Sequence, residues 1–214
     1  MNNLIEKLNK IGQDYFFESE FRLIQKSSIS FVINGNYIST AVNNYNNESH
    51  KVNVLKWFDD FWIYIEIKFI PKPHAKRKKQ LPNIFFTLSV FQGSESDDVK
   101  TQLFRAEWDN YEDLSDIHPQ PHWHIFPYKY SHQIHNDFEE FISLTKEDND
   151  FNSLLNNKRV YEIIDLKKFH FAMNGQWSEN KTDVHKIQIE ENLLNWFNGV
   201  LNHIKKELEY VNEK

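Results

Sequence analysis

Two stretches of strict alternation do most to limit what this chain can fold into. Over 61–70, Phe61, Ile63, Ile65, Ile67 and Phe69 fall on one side, and Trp62, Tyr64, Glu66 and Lys68 on the other. Over 84–91, Ile84, Phe86, Leu88 and Val90 oppose Phe85, Thr87, Ser89 and Phe91. Successive side chains of a strand leave opposite faces, so this pattern predicts half-buried antiparallel β-strands. β-branched and aromatic residues, which suit a pleated surface, fill both segments. Residues 101–109 repeat the pattern, with Leu103, Arg105, Glu107 and Asp109 against Phe104, Ala106 and Trp108.

The flanks read differently. Leu4, Leu8, Ile11 and Tyr15 form one apolar stripe, and Phe17, Phe21 and Ile24 keep helical spacing, so 2–26 is predicted as helix. Over 187–211, Leu193, Phe197, Val200, Ile204, Leu208 and Val211 step by three or four, which predicts a long C-terminal helix. Residues 29–42 read as a hairpin turning at Asn34-Gly35-Asn36, and 43–49 as a polar loop before a strand at Val52 and Val54. Residues 133–144 read as helix and 150–157 as a helical turn, while 160–173 is ambiguous between helix and strand. The expected class is α+β: one antiparallel sheet of about six to eight strands, flanked by an N-terminal helix and a long C-terminal helix. A single domain over 1–214 is expected, with the sheet spanning 29–127 and a helical C-terminal part at 133–211.

Composition narrows the chemistry. The 214 residues are 40% hydrophobic and 15% aromatic, enough for a large core. A net charge of -6 offers no global attraction to nucleic acid or an anionic membrane. The absence of cysteine excludes disulfides, thiol nucleophiles and thiolate metal sites. Only five glycines, and no phosphate-binding or dinucleotide fingerprint, argue against P-loop, kinase and Rossmann enzymes. With no signal-like apolar region after Met1, and with Asp59, Asp60, Glu66 and Lys68 interrupting the most apolar run, a soluble cytoplasmic protein without membrane contact is expected.

Two local features carry the functional expectations. Three of the ten histidines lie in His118-Pro119-Gln120-Pro121-His122-Trp123-His124. Read as a strand over 121–127, His122 and His124 share a face, with Cα atoms about 6.5–7 Å apart. Two imidazoles so placed can converge on one divalent ion (Zn, Mn or Mg), which needs at least one further ligand. If 101–109 and 121–127 pair, Glu107 or Asp109 can act as that ligand or as a base, with Arg105 steadying negative charge. His118, folding back, and His170, from a neighbouring element, are further candidate ligands. The alternative is a structural network, in which the histidines, Arg105 and Glu107 satisfy one another.

The second feature is Lys72, Lys76, Arg77, Lys78 and Lys79, five basic residues with no acid among 71–80. It reads either as a solvated hairpin tip or as a loop that grips nucleic acid or an acidic protein. Two functions follow. One is a metal-assisted phosphodiesterase or nuclease-like hydrolase. The other is a non-catalytic subunit that joins a protein or nucleic-acid complex of a bacterial multi-gene system, such as a defence operon.

The string His122-Trp123-His124 resembles the His-hydrophobic-His motif of the HUH endonucleases, which nick single-stranded DNA with a metal and a tyrosine. The resemblance covers these two histidines and implies a metal held on a sheet strand. The family's Tyr-x-x-Lys helix has no counterpart of matching spacing; Tyr161 with Lys167 or Lys168 is the nearest arrangement. The same string is similar to part of the histidine triad of nucleotide hydrolases, but Phe126 occupies the third position, which excludes that chemistry.

Overall fold

A computed structural model describes residues 2–45, 48–72, 82–97, 100–109, 119–126, 164–171 and 187–212. Their elements run α1 (Asn2–Gln13), β1 (Arg22–Gln25), β2 (Ser30–Asn34), β3 (Ile38–Tyr45), β4 (Glu48–Phe58), β5 (Phe61–Ile70), β6 (Asn83–Gln92), β7 (Thr101–Asp109), β8 (His122–Ile125), a 3-10 turn (Leu166–Lys168) and α2 (Glu190–Asn212). The fold is α+β, as expected: one antiparallel sheet of eight strands with a helix from each end of the chain. Among the described residues, no helix is long and apolar enough to cross a membrane. The segments predicted at 133–144 and 150–157 lie outside the described residues.

The most alternating segment is also the centre of the sheet. β6 pairs with β5 along its whole length, from Phe61↔Gln92 to Ile70↔Asn83. The other edge of β5 is shared: Phe61 and Ile63 pair with β4, and Glu66, Ile67 and Lys68 with β2. β4 therefore leaves the sheet beyond Leu55, and the rest of it pairs with β3 as a hairpin. From β6 the sheet continues through β7 to β8.

The two faces are built from the two halves of the alternation. Ile63, Ile65, Ile67, Phe86, Leu88, Phe104 and Ala106 are all buried on one face. Against it lies α2, whose Phe197 ring sits 5.3 Å from Phe86 and whose Trp196 sits 5.5 Å from Trp108. α1 packs beside α2, with Tyr15 donating to Asn198 and Lys7 3.4 Å from Glu190. The opposite face carries Tyr64, Glu66, Thr87, Ser89, Arg105 and Glu107, and the β3–β4 hairpin folds over it. Asn43 Oδ1 accepts from Ser89 Oγ at 2.8 Å and from Gln102 Nε2 at 2.9 Å, and Asn44 N donates to Gln102 Oε1 at 2.8 Å.

Three local expectations are corrected. The predicted helix over 2–26 stops at Gln13, and Arg22–Gln25 is a strand. The chain doubles back so that the Phe21 ring lies on Gly12, where a Cβ would meet it at 2.2 Å. Asn9 Oδ1 then receives the Leu23 amide at 2.6 Å. The apparent helical stripe was a coincidence of spacing: Phe17 is 80% and Ile24 42% exposed, whereas Phe21 is fully buried.

The predicted hairpin over 29–42 does not form either. β2 pairs with β1 and β5, and β3 with β4. Gly35 has no positive φ; it is needed for close approach, since a Cβ there would lie 2.5 Å from the Glu20 carbonyl oxygen and 2.6 Å from Leu55. Among the described residues, the left-handed one is Asp59, at φ 44° in the two-residue turn from β4 to β5, a conformation that Asp tolerates better than most residues. Finally, the predicted polar loop over 43–49 is largely strand, and its Asn43 is buried.

Candidate metal centre

β7 and β8 pair antiparallel in a register that sets Arg105 opposite His124 and Glu107 opposite His122. Directly opposed residues share a face, so alternation on β7 and β8 brings all four side chains to the polar side of the sheet. Trp123, between the histidines, points the other way and packs 5.2 Å from Phe171 and 5.7 Å from Phe104. Trp123 thus anchors β8 to the apolar face, and the histidines stand on the polar one.

There the three groups converge. His122 Nε2 and His124 Nε2 are 2.8 Å apart, and they lie 3.3 and 2.9 Å from Glu107 Oε2. Among the described residues, this trio forms the group whose ligand atoms could hold a metal ion. Two imidazoles and one carboxylate are a donor set that a divalent cation would accept.

Arg105 meets both oxygens of this carboxylate: its Nε lies 2.8 Å from Glu107 Oε1 as an ion pair, and its Nη2 donates to Oε2 at 3.4 Å, while Thr87 Oγ1 approaches Oε1 at 3.5 Å. Arg105 is itself 3% exposed. It donates to the Asn44 carbonyl oxygen, and its guanidinium lies 4.7 Å above the Tyr45 ring. The guanidinium thus holds the Glu107 carboxylate in place beside the histidines, sharing Oε2 with them. Burial tends to raise the Glu107 pKa, but hydrogen bonds from His122 and His124 and the charge of Arg105 outweigh it. The carboxyl is held well below the ordinary carboxylate range. Accessibility rises toward the sheet edge, with side-chain exposures of 13% for Glu107, 18% for His122 and 42% for His124.

The 2.8 Å contact between the two Nε2 atoms is a hydrogen bond when one ring carries its proton on Nδ1 and presents its Nε2 lone pair to the other. A divalent ion held there would take lone pairs from both rings and the negative charge of Glu107.

The other sequence candidates lie elsewhere. Asp109 is bound to Gln120, whose Oε1 accepts from the Asp109 amide and whose Nε2 donates to Asp109 Oδ2, both at 3.1 Å. The third member is thus Glu107, because it opposes His122, and Asp109 is not part of the group. His170 is not a ligand of this centre either. Its Nδ1 lies 3.1 Å from Glu207 of α2, and its neighbours Phe169 and Phe171 pack on Phe104, on the helix-covered face. Arg105 is buried beside Glu107 and touches both of its carboxylate oxygens. His118, Lys76, Arg77, Lys78 and Lys79 lie outside the described residues, while Lys72 follows the end of β5. Sequence reasoning missed Thr87 and Tyr45; alternation on β6 put Thr87 on the correct face, but nothing local linked Tyr45 to Arg105.

No family model matches the chain, and comparison with curated proteins and with solved structures likewise finds no match.

Proposed function

We propose that Glu107, His122 and His124 hold one divalent cation, and that the protein is a metal-assisted hydrolase of phosphodiesters. The observation that carries this reading is the meeting of two Nε2 atoms and one oriented carboxylate oxygen within 2.8–3.3 Å of one another. Three protein ligands with open positions are the pattern of catalytic rather than structural sites. An ion held there supplies a Lewis acid and brings the pKa of water toward 7. The attacking water would give up a proton to solvent as its oxygen bonds to phosphorus, and the leaving oxygen, once its bond to phosphorus breaks, would take up a proton from solvent. Hydrogen bonds from the histidines and the charge of Arg105 keep Glu107 negative, and half-exposed His124 keeps the group within reach of solvent.

A second reading rests on the same distances. At 2.8 and 2.9 Å, the two histidines and Glu107 can satisfy one another as a hydrogen-bonded network in a non-catalytic binding subunit. Metal content and calorimetric titration of chelator-treated protein with Zn²⁺ and Mn²⁺ separate the two. The hydrolase reading expects one equivalent bound by the wild type, loss of that binding in His122→Ala with the fold kept, and metal-dependent cleavage of bis(p-nitrophenyl) phosphate. Absence of any histidine-dependent metal binding would overturn it and leave the network.

A further inference from the structure

The polar face holds a second feature, next to the triad. A cavity of about 410 Å³ opens between the β3–β4 hairpin and β5 and β6. That volume suits a small organic ligand. Its wall includes Thr87 and Tyr45. These are the residues that touch Glu107 and Arg105 from behind, so cavity and triad share a partition.

The cavity is cationic in an acidic protein. Lys26, Lys51 and Lys68 line it, with Glu66 as the carboxylate among them. Lys26 and Lys68 both lie near Glu66, at 4.0 and 3.4 Å, so the lining itself holds three ammonium groups and one carboxylate, with Glu107 and Asp109 beyond the Tyr45 wall. The whole chain carries -6. Concentrating positive charge in a concave site against that background attracts anions locally. The rest of the wall holds the rings of Tyr45, Tyr64 and Phe85 together with Asn43, His50, Val52 and Thr87. Tyr64 is buried, and burial together with neighbouring Glu66 keeps its phenol protonated above the usual range. Ammonium groups as point charges for phosphate, beside flat rings for stacking, make up the recognition set for a nucleotide.

We infer that this cavity binds one nucleotide unit of the substrate, its phosphate on Lys26, Lys51 and Lys68 and its base against Tyr45 and Phe85. The unit would lie beside the phosphodiester presented to Glu107, His122 and His124. In naming the substrate the inference rests on the hydrolase reading, but binding in the cavity needs no metal.

Titration of the chelator-treated full chain with adenosine 5′-monophosphate tests it, with adenosine as the uncharged arm. Saturable binding of the monophosphate, at least tenfold weaker for adenosine and weakened by salt, is expected. Lys26→Glu/Lys51→Glu lowers the affinity at least tenfold, and Lys51→Gln severalfold; circular dichroism checks each fold, and the single variant carries the test if the double one unfolds. Equal binding of adenosine, no saturable binding, or unchanged affinity in the folded variants overturns the inference. The two proposals separate cleanly. Nucleotide binding retained in His122→Ala, in a protein that takes up no metal, upholds the cavity and sinks the hydrolase. Metal binding without nucleotide binding does the reverse.

Discussion

The two faces of the central sheet come from the same strands and differ in almost everything else. On the helix-covered face, Phe86, Leu88, Phe104 and Ala106 are essentially dry, and Phe86 meets Trp196 and Phe197 of α2. On the other face, one position along in each strand, stand Thr87, Ser89, Arg105 and Glu107, joined to His122 and His124 of β8. Period-two alternation lets a single segment supply core and chemistry at once, provided its register is held. The apolar face draws on area removed from water, which has no direction. The polar face depends on partners, because each buried charge or amide there is costly unless matched. The first should tolerate changes of shape and punish loss of volume. The second should punish any unmatched change, even where volume is kept.

The largest effect is expected on the apolar face. Phe86→Ala removes a fully buried ring between α2 and β6 and should cost about 4 kcal/mol of folding stability, by transfer and cavity terms together. Read by urea denaturation, it should leave metal affinity within about twofold when measured well below the transition midpoint. A large loss of metal affinity in the folded variant would show that the faces are not separable.

Arg105→Met makes the converse test. The side chain keeps much of its volume but leaves the half-buried Glu107 carboxylate without its cation. Breaking such a pair is expected to cost about 3 kcal/mol. It also frees Glu107 to rotate, so metal affinity should fall about 10–100-fold. A variant with normal stability and normal metal affinity would remove Arg105 from any positioning role.

Glu107→Gln changes less of the fold. The amide oxygen still accepts from Arg105, so about 2 kcal/mol is expected, the scale of a charged hydrogen bond replaced by a neutral one. Metal uptake, in contrast, should be abolished in the same titration. Retained uptake would mean that the histidines bind without the carboxylate.

This division also explains how much could be read from the chain. Both long strands, the polar face of β7 and the same-face placement of His122 and His124 followed from alternation, because a strand's period is local. The choice of Glu107 over Asp109 did not, because both lie on that face and only the pairing register Glu107↔His122 separates them. The cavity was invisible: Lys26, Lys51 and Lys68 sit on different parts of the chain and meet only because β4 departs from β5. The misread hairpin at Asn34-Gly35-Asn36 has a similar cause. Gly35 is demanded by contact with Glu20 and Leu55, a tertiary reason that imitates a turn signal.

The smallest effect separates the faces by pH. Tyr64 lies at the cavity, and its pKa is raised above the ordinary 10, first by burial and then by Glu66. For a group whose folded pKa is raised, the stabilising contribution is complete below the unfolded value and is lost as pH rises through the folded one. Wild-type stability should therefore decline above about pH 10 more steeply than that of Tyr64→Phe, which cannot ionise there. The other tyrosines with raised pKa values, Tyr15, Tyr37 and Tyr45, are common to both proteins and cancel in the difference. Urea titrations at pH 8, 9.5 and 11 measure it, with the two curves expected to converge or cross as pH rises. Parallel curves would mean that Tyr64 ionises as freely in the fold as in the unfolded chain. The polar face would then be wetter at the cavity floor than the burial of Tyr64 implies.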